Sequence, residues 1–141
     1  MPTDMFLGTW TLIPELSIYE AGAKPASGLY RIIADGETIS FEVSWTTEES
    51  DKELSASFSG PSDGTKQKLP VAKVTPKGAP DSFNITRIDE YTLDSTAFCK
   101  GKAVSVARRQ ASHDGSLLAV LQEYLLPGGK TCRNFQVYKK S

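Results

Sequence analysis

The sequence predicts an all-β fold, a small antiparallel up-and-down barrel, and three observations carry that reading. Turn dipeptides recur at short intervals: Asp35-Gly36, Gly60-Pro61, Asp63-Gly64, Asp114-Gly115 and Gly128-Gly129. The runs between them are rich in β-branched and aromatic residues. No segment holds a helical period for long. Such spacing belongs to a meander rather than to alternating parallel strands and helices. An open sheet of this size would expose edges that invite aggregation, and closure removes them. A barrel of about eight to ten strands is also the size that holds one small ligand.

Ten stretches read as strands: Thr9–Ile13, Gly28–Ala34, Thr38–Thr46, Glu53–Ser59, Thr65–Leu69, Ser82–Ile88, Thr92–Cys99, Ala103–Ser112, Ser116–Leu126 and Thr131–Lys139. Glu15 to Ala23, after Pro14, reads as a short helix or turn. Pro70 to Pro80, with its prolines and glycine, reads as a loop within one domain spanning residues 1–141.

Two hairpins set the expected facing of side chains. Ile39, Phe41, Val43 and Trp45 alternate with Ser40, Glu42 and Ser44, a period of two with one apolar face. A two-residue type I′ turn at Asp35-Gly36 would set Ile32 opposite Ile39 and Tyr30 opposite Phe41, all inward. Arg31 and Ser40 would then pair on the wet face. In the second hairpin, a three-residue loop His113-Asp114-Gly115 would set Arg108 opposite Val120. That register puts Val104, Val106, Arg108, Gln110, Leu118, Val120, Gln122 and Tyr124 on one face, expected to point inward. Arg109, Leu117, Ala119, Leu121 and Glu123 fall on the other.

Composition excludes several classes of function. Sixteen basic residues nearly cancel seventeen acidic ones, so no nucleic-acid or polyanion partner is implied. The longest apolar stretch, Leu117 to Leu121, is far too short to cross a bilayer. The start, Met1-Pro2-Thr3-Asp4-Met5, lacks a basic and apolar leader. A cytoplasmic location with Cys99 and Cys132 as reduced thiols is therefore the expectation. No phosphate-binding glycine motif occurs, and no cofactor or metal ligand set can be assembled. His113, the only histidine, falls in a turn and reads as solvated. Glu49-Ser50-Asp51 and Asp89-Glu90 read as solvated loop tips.

Some short motifs carry a family likeness. Gly8-Thr9-Trp10 resembles the G-x-W signature of the lipocalin and fatty-acid-binding (calycin) barrels, and Val137-Tyr138-Lys139-Lys140 resembles their last strand. Arg87-Ile88-Asp89, Ala107-Arg108-Arg109, Ser112-His113-Asp114-Gly115 and Val137-Tyr138-Lys139 are together similar to a family of uncharacterised bacterial lipocalin-like proteins. The resemblance implies a calycin-type barrel with a ligand in its interior, and Trp10 as the plug of the closed end. Fatty-acid-binding proteins carry a helix–turn–helix lid where this chain has only Glu15 to Ala23. They also carry Arg where this chain has Gln136, so their carboxylate-binding pair is not carried over. Leu12-Ile13-Pro14 replaces the glycine-rich motif of nitrobindin-like haem barrels, and no haem is implied.

The expected function is therefore binding of a small, largely apolar ligand, anionic in one version, inside the barrel. Tyr30, Phe41, Trp45, Phe58 and Tyr124 would supply the apolar and stacking wall, with Arg87, Arg108 and Gln122 as polar anchors. Two alternatives stay open. One is an isomerase or lyase using the same cavity, for which Asp94 and Glu123 are the only strand-borne carboxylates that suggest themselves. The other is a homodimerising module with a filled barrel, paired through Leu117, Ala119 and Leu121. A cavity above about 300 Å³ would favour binding or catalysis over the third reading.

Overall fold

A computed structural model describes residues 5–20, 24–48, 50–68, 80–125 and 127–141 of the chain. Among these, eleven strands form one antiparallel sheet: β1 Gly8–Leu12, β2 Ile18–Tyr19, β3 Pro25–Asp35, β4 Thr38–Thr47, β5 Ser50–Pro61, β6 Gln67–Lys68, β7 Ser82–Asp89, β8 Thr92–Cys99, β9 Lys102–Ala111, β10 Leu117–Leu125 and β11 Thr131–Lys140. The order around the sheet is β5-β4-β3-β1-β11-β10-β9-β8-β7-β6, with β2 added to β11. Near its two ends the sheet meets itself. Asp63 bridges Thr86, the Gly64 N–H donates to Ile85 O at 2.9 Å, and the Arg87 N–H donates to Ser62 O at 3.0 Å. The result is an all-β, nearly closed meander barrel, as the sequence predicts.

Of the short helix or turn expected from Glu15, the described residues show a turn and no α-helix. Pro14–Leu16 makes a single 3-10 turn, which suits proline's fixed φ at the first position. Ile18 and Tyr19 then pair with Phe135 and Asn134 as β2. Strand pairing to an available edge wins because the segment is too short to repay helix nucleation. Residues 21–23, most of the expected proline-rich loop (70–79), Leu69, Leu126 and Glu49 lie outside the described residues. Ser50 and Asp51 belong to β5 rather than to a loop tip.

The first hairpin keeps its expected face but not its expected register. Asp35 pairs with Thr38, so Gly36 and Glu37 are the turn, and Ile32 faces Phe41 while Tyr30 faces Val43. Gly36 alone takes positive φ, +63°. A turn centred one residue earlier would force Asp35 into the same region, where a side chain is costly. The slip of two residues preserves parity, so Tyr30, Ile32, Ile39 and Phe41 are all buried. Arg31 pairs with Glu42 on the wet face, at 3.6 Å, instead of with Ser40.

The second hairpin slips by one, and the consequence is larger. The Ser112 N–H donates to Leu117 O, making a four-residue loop, and Arg109, not Arg108, faces Val120. The Asp114 carboxylate accepts from Ser112 Oγ at 2.7 Å, Ser116 Oγ at 2.7 Å and the Ser116 N–H at 3.0 Å. These bonds fasten the extra loop residue in place. They hold the Asp114 carboxyl down at about 2, the Ser116 and Ser112 side chains contributing most. A one-residue slip exchanges the faces of one strand relative to its partner. On β10, Leu118, Val120 and Gln122 keep the expected inward face, whereas β9 is reversed. Ala107, Arg109 and Ala111 are buried, and Val106 and Arg108 are exposed.

Inside the barrel a row of rings crosses from β11 to β7: Tyr138, Tyr30, Phe41, Phe58 and Phe83. Successive centroids lie 5.5, 6.1, 4.8 and 5.2 Å apart, mostly edge to face. On one side of the row Phe6, Trp10, Ile32, Ile39, Ile85, Leu93 and Leu118 pack together as part of one buried cluster. Trp10 is fully buried and its indole N–H donates to Phe6 O at 2.9 Å, sealing that end. On the other side the interior is hollow.

Candidate functional site

The hollow half holds a cavity of about 510 Å³, inside the range ligand pockets use. Alternate residues of each strand turn inward, so β1, β3, β4 and β10 pack the closed half with some residues and line the cavity with others. Beyond the ring row, β3 supplies Gly28 and β4 Val43 and Trp45, while β5 supplies Ala56, β10 Gln122 and Tyr124, and β11 Asn134 and Gln136. Tyr19 enters from β2. Gly28 leaves room there: a Cβ would lie a tight 3.2 Å from Leu12 Cβ on the neighbouring strand.

Arg109 dominates the electrostatics. It is 3% exposed, and its guanidinium carbon sits 4.6 Å from the Phe41 ring centre and 5.8 Å from that of Phe58. Nε donates to the Tyr30 hydroxyl at 2.8 Å and Nη1 to Ser95 Oγ at 2.9 Å. Among the described residues no carboxylate pairs with it, and nothing accepts from Nη2. Each accepting hydroxyl keeps its own proton to donate. The lining residues include no aspartate, glutamate, lysine or histidine, so Arg109 is the cavity's only formal charge among the described residues.

A second polar group lies along β10, β11 and β2. The Tyr138 hydroxyl donates to Gln136 Oε1 at 3.3 Å. Gln136 Nε2 donates to the Tyr19 hydroxyl and, at 3.5 Å, to Gln122 Oε1, which also accepts from the Tyr124 hydroxyl at 3.4 Å. Burial pushes the phenols of Tyr138, Tyr19 and Tyr124 above their ordinary range. All three are therefore neutral hydrogen-bond donors at pH 7.

The residues expected to bind ligand are thus partly assembled. Tyr30, Trp45, Phe58, Gln122 and Tyr124 line the cavity. Phe41 is buried beneath it, under the Arg109 guanidinium. Arg87 sits at the sealed end, its guanidinium 5.5 Å from the Phe6 ring centre, and does not line the cavity. Arg108 points outward and makes a two-pronged contact with Asp94, Nε and Nη2 each 2.8 Å from a carboxylate oxygen. The register slip at His113–Ser116 exchanged it with Arg109. The Ser112-x-Asp114-x-Ser116 pattern was the one signal for that longer loop.

The other candidates also find their places. Asp94 is occupied by Arg108, and Glu123 lies outside, 3.3 Å from Arg133 Nε. His113 is exposed and stacks on Tyr91, centroids 4.4 Å apart. Cys99 and Cys132 are separate thiols, the latter buried. Among the described residues no group of His, Cys, Asp or Glu is arranged to hold a metal ion, and no helix is long and apolar enough to cross a membrane.

No family model and no curated protein matches the chain. Solved structures do. A zebrafish ileal bile acid-binding protein, determined with cholic acid, superimposes with a TM-score of 0.56 at 10% identity over 97% of this chain and 99% of its own. Secretory abundant heat soluble protein 4 from Ramazzottius varieornatus gives 0.56 at 14% identity, covering 100% of this chain and 98% of its own. The siderocalin Ex-FABP, described as functioning through dual ligand specificities, gives 0.52 at 8% identity over 97% of this chain and 71% of its own. Identities this low speak to architecture alone: the chain has the fold of the fatty-acid-binding-protein and calycin-like β-barrels.

Proposed function

We propose that this protein binds a small, largely apolar anion, with its charged group against Arg109 and its body against Trp45, Phe58 and Tyr124. One observation carries the reading. Arg109 is a buried cation with no carboxylate partner among the described residues, on the wall of a cavity about 510 Å³ in volume. A buried charge without a counter-charge is costly, and an anionic ligand supplies one. Tyr30 and Ser95, both accepting from the guanidinium, add hydroxyl donors beside it. Ligand-binding calycin barrels among the solved neighbours are consistent with this use of the interior. A cytoplasmic carrier related to the bacterial lipocalin-like family fits the two unbonded thiols.

Catalysis finds no support in the lining, because Asp94 and Glu123 both lie outside. Self-association is a separate proposal resting on Leu117 and Leu121, which are 43% and 41% exposed on the outer face of β10. Sedimentation of the wild type against Leu117→Ser/Leu121→Ser tests it.

Native mass spectrometry of protein purified without denaturation tests the main reading. A retained small acid in the wild type, absent from Arg109→Met, is expected. Equal retention by both proteins would refute Arg109 as the anchor.

A further inference from the structure

Building on that reading of the cavity, we infer that the ligand carries oxygen functions along one edge and is not a plain alkyl acid with a single polar end. The cavity has two unlike walls. Adjacent strands β2, β11 and β10 contribute Tyr19, Asn134, Gln136, Gln122 and Tyr124. Strands β4 and β5 contribute Val43, Trp45, Ala56 and Phe58. In the ten-strand order β5 and β10 stand five places apart, so the polar and apolar walls face each other across the barrel.

The part of this wall made by Gln122, Tyr124 and Gln136, with Tyr138, is only loosely satisfied by itself, whereas Asn134 accepts from the Glu20 N–H at 3.1 Å. The Tyr138–Gln136, Gln136–Gln122 and Tyr124–Gln122 contacts are 3.3, 3.5 and 3.4 Å long, beyond the usual range for O–H or N–H donors. Among the described residues nothing accepts from the Gln122 amide nitrogen or from the Tyr19 hydroxyl proton. An alkyl chain laid here would strip water from these groups and offer nothing in exchange. A ligand edge bearing hydroxyl or carbonyl oxygens would pair with them while its opposite edge lies on Trp45 and Phe58. Sites built with buried polar groups discriminate strongly against analogues that lack the matching group.

Calorimetric titration of the whole chain with two acids of equal length tests this. The probes are palmitate and its trihydroxylated counterpart, aleuritate. The wild type should bind aleuritate at least as tightly as palmitate. Gln122→Leu/Gln136→Leu should shift the ratio of the two affinities toward palmitate by about tenfold or more. The milder Tyr19→Phe should shift it in the same direction by a smaller factor. Tighter binding of palmitate by the wild type, or a ratio unmoved by both variants, would overturn the inference and leave the proposed function standing. Failure of the wild type to bind either acid would overturn the proposed function itself.

Discussion

The two halves of this barrel share strands β1, β3, β4 and β10 and differ in what those strands turn inward. Along β10 the inward series runs Leu118, Val120, Gln122, Tyr124, and along β3, read from the sealed end, Ile32, Tyr30, Gly28. The sealed half uses branched and aromatic side chains that fill space. The open half uses a glycine, amides and phenols that leave it. The ring row from Tyr138 to Phe83 is the boundary. Core packing and the proposed binding cavity are thus segregated along the barrel axis, and each can be perturbed while the other is read out.

Phe41 belongs to the boundary and is fully buried. Phe41→Ala should cost about 3–5 kcal/mol in denaturant unfolding. Tyr124→Ala, in the open half and 36% exposed, should cost less than about 1 kcal/mol. Comparable losses at both sites would erase the distinction between the halves.

The two neighbouring arginines sharpen it further. Arg109→Met should weaken binding of a fatty acid at least tenfold, since hydrogen bonds to a charged group are each worth about 1.5–3 kcal/mol. The same change should leave unfolding free energy within about 1 kcal/mol of wild type, because no internal ion pair is broken. Arg108→Ala removes an outward contact to Asp94. It should leave ligand affinity unchanged and shift the melting temperature only slightly. A ligand effect from Arg108 as large as that from Arg109 would mean that the β9 register is wrong.

The smallest expected effect is in the loop that sets this register. The Asp114 carboxyl sits at about 2, below its ordinary value of 3.8. A depressed folded-state value adds stability that is complete above the unfolded value and fades as pH falls toward 2. Asp114→Asn should therefore be slightly less stable than wild type at pH 7, and the gap should close between pH 4 and 2 in thermal melts.

Parity decided which parts of the site were legible in the sequence. The alternation of Ile39, Phe41, Val43 and Trp45 with Ser40, Glu42 and Ser44 fixed a face, and a register error of two at Gly36-Glu37 left that face intact. At His113–Ser116 an error of one reversed β9, so Arg108 was read where Arg109 stands. Nothing in the local composition of Val104 to Gln110 corrects that, because Val and Arg alternate with Ser, Ala and Arg. Tyr19 was hidden for another reason: a dipeptide strand beside a 3-10 turn has too little length to show a period. Gln136 was visible only as a departure from the fatty-acid-binding proteins, whereas its contacts with Tyr19, Gln122 and Tyr138 are tertiary.

The proposal that Arg109 takes its counter-charge from an outside anion is tested most directly by titrating the protein with palmitate and with hexadecanol, which share a chain and differ in charge. The wild type should prefer the acid by about tenfold or more, and Arg109→Met should abolish the preference. Equal affinity of the wild type for acid and alcohol, or a preference that survives in Arg109→Met, would contradict the account.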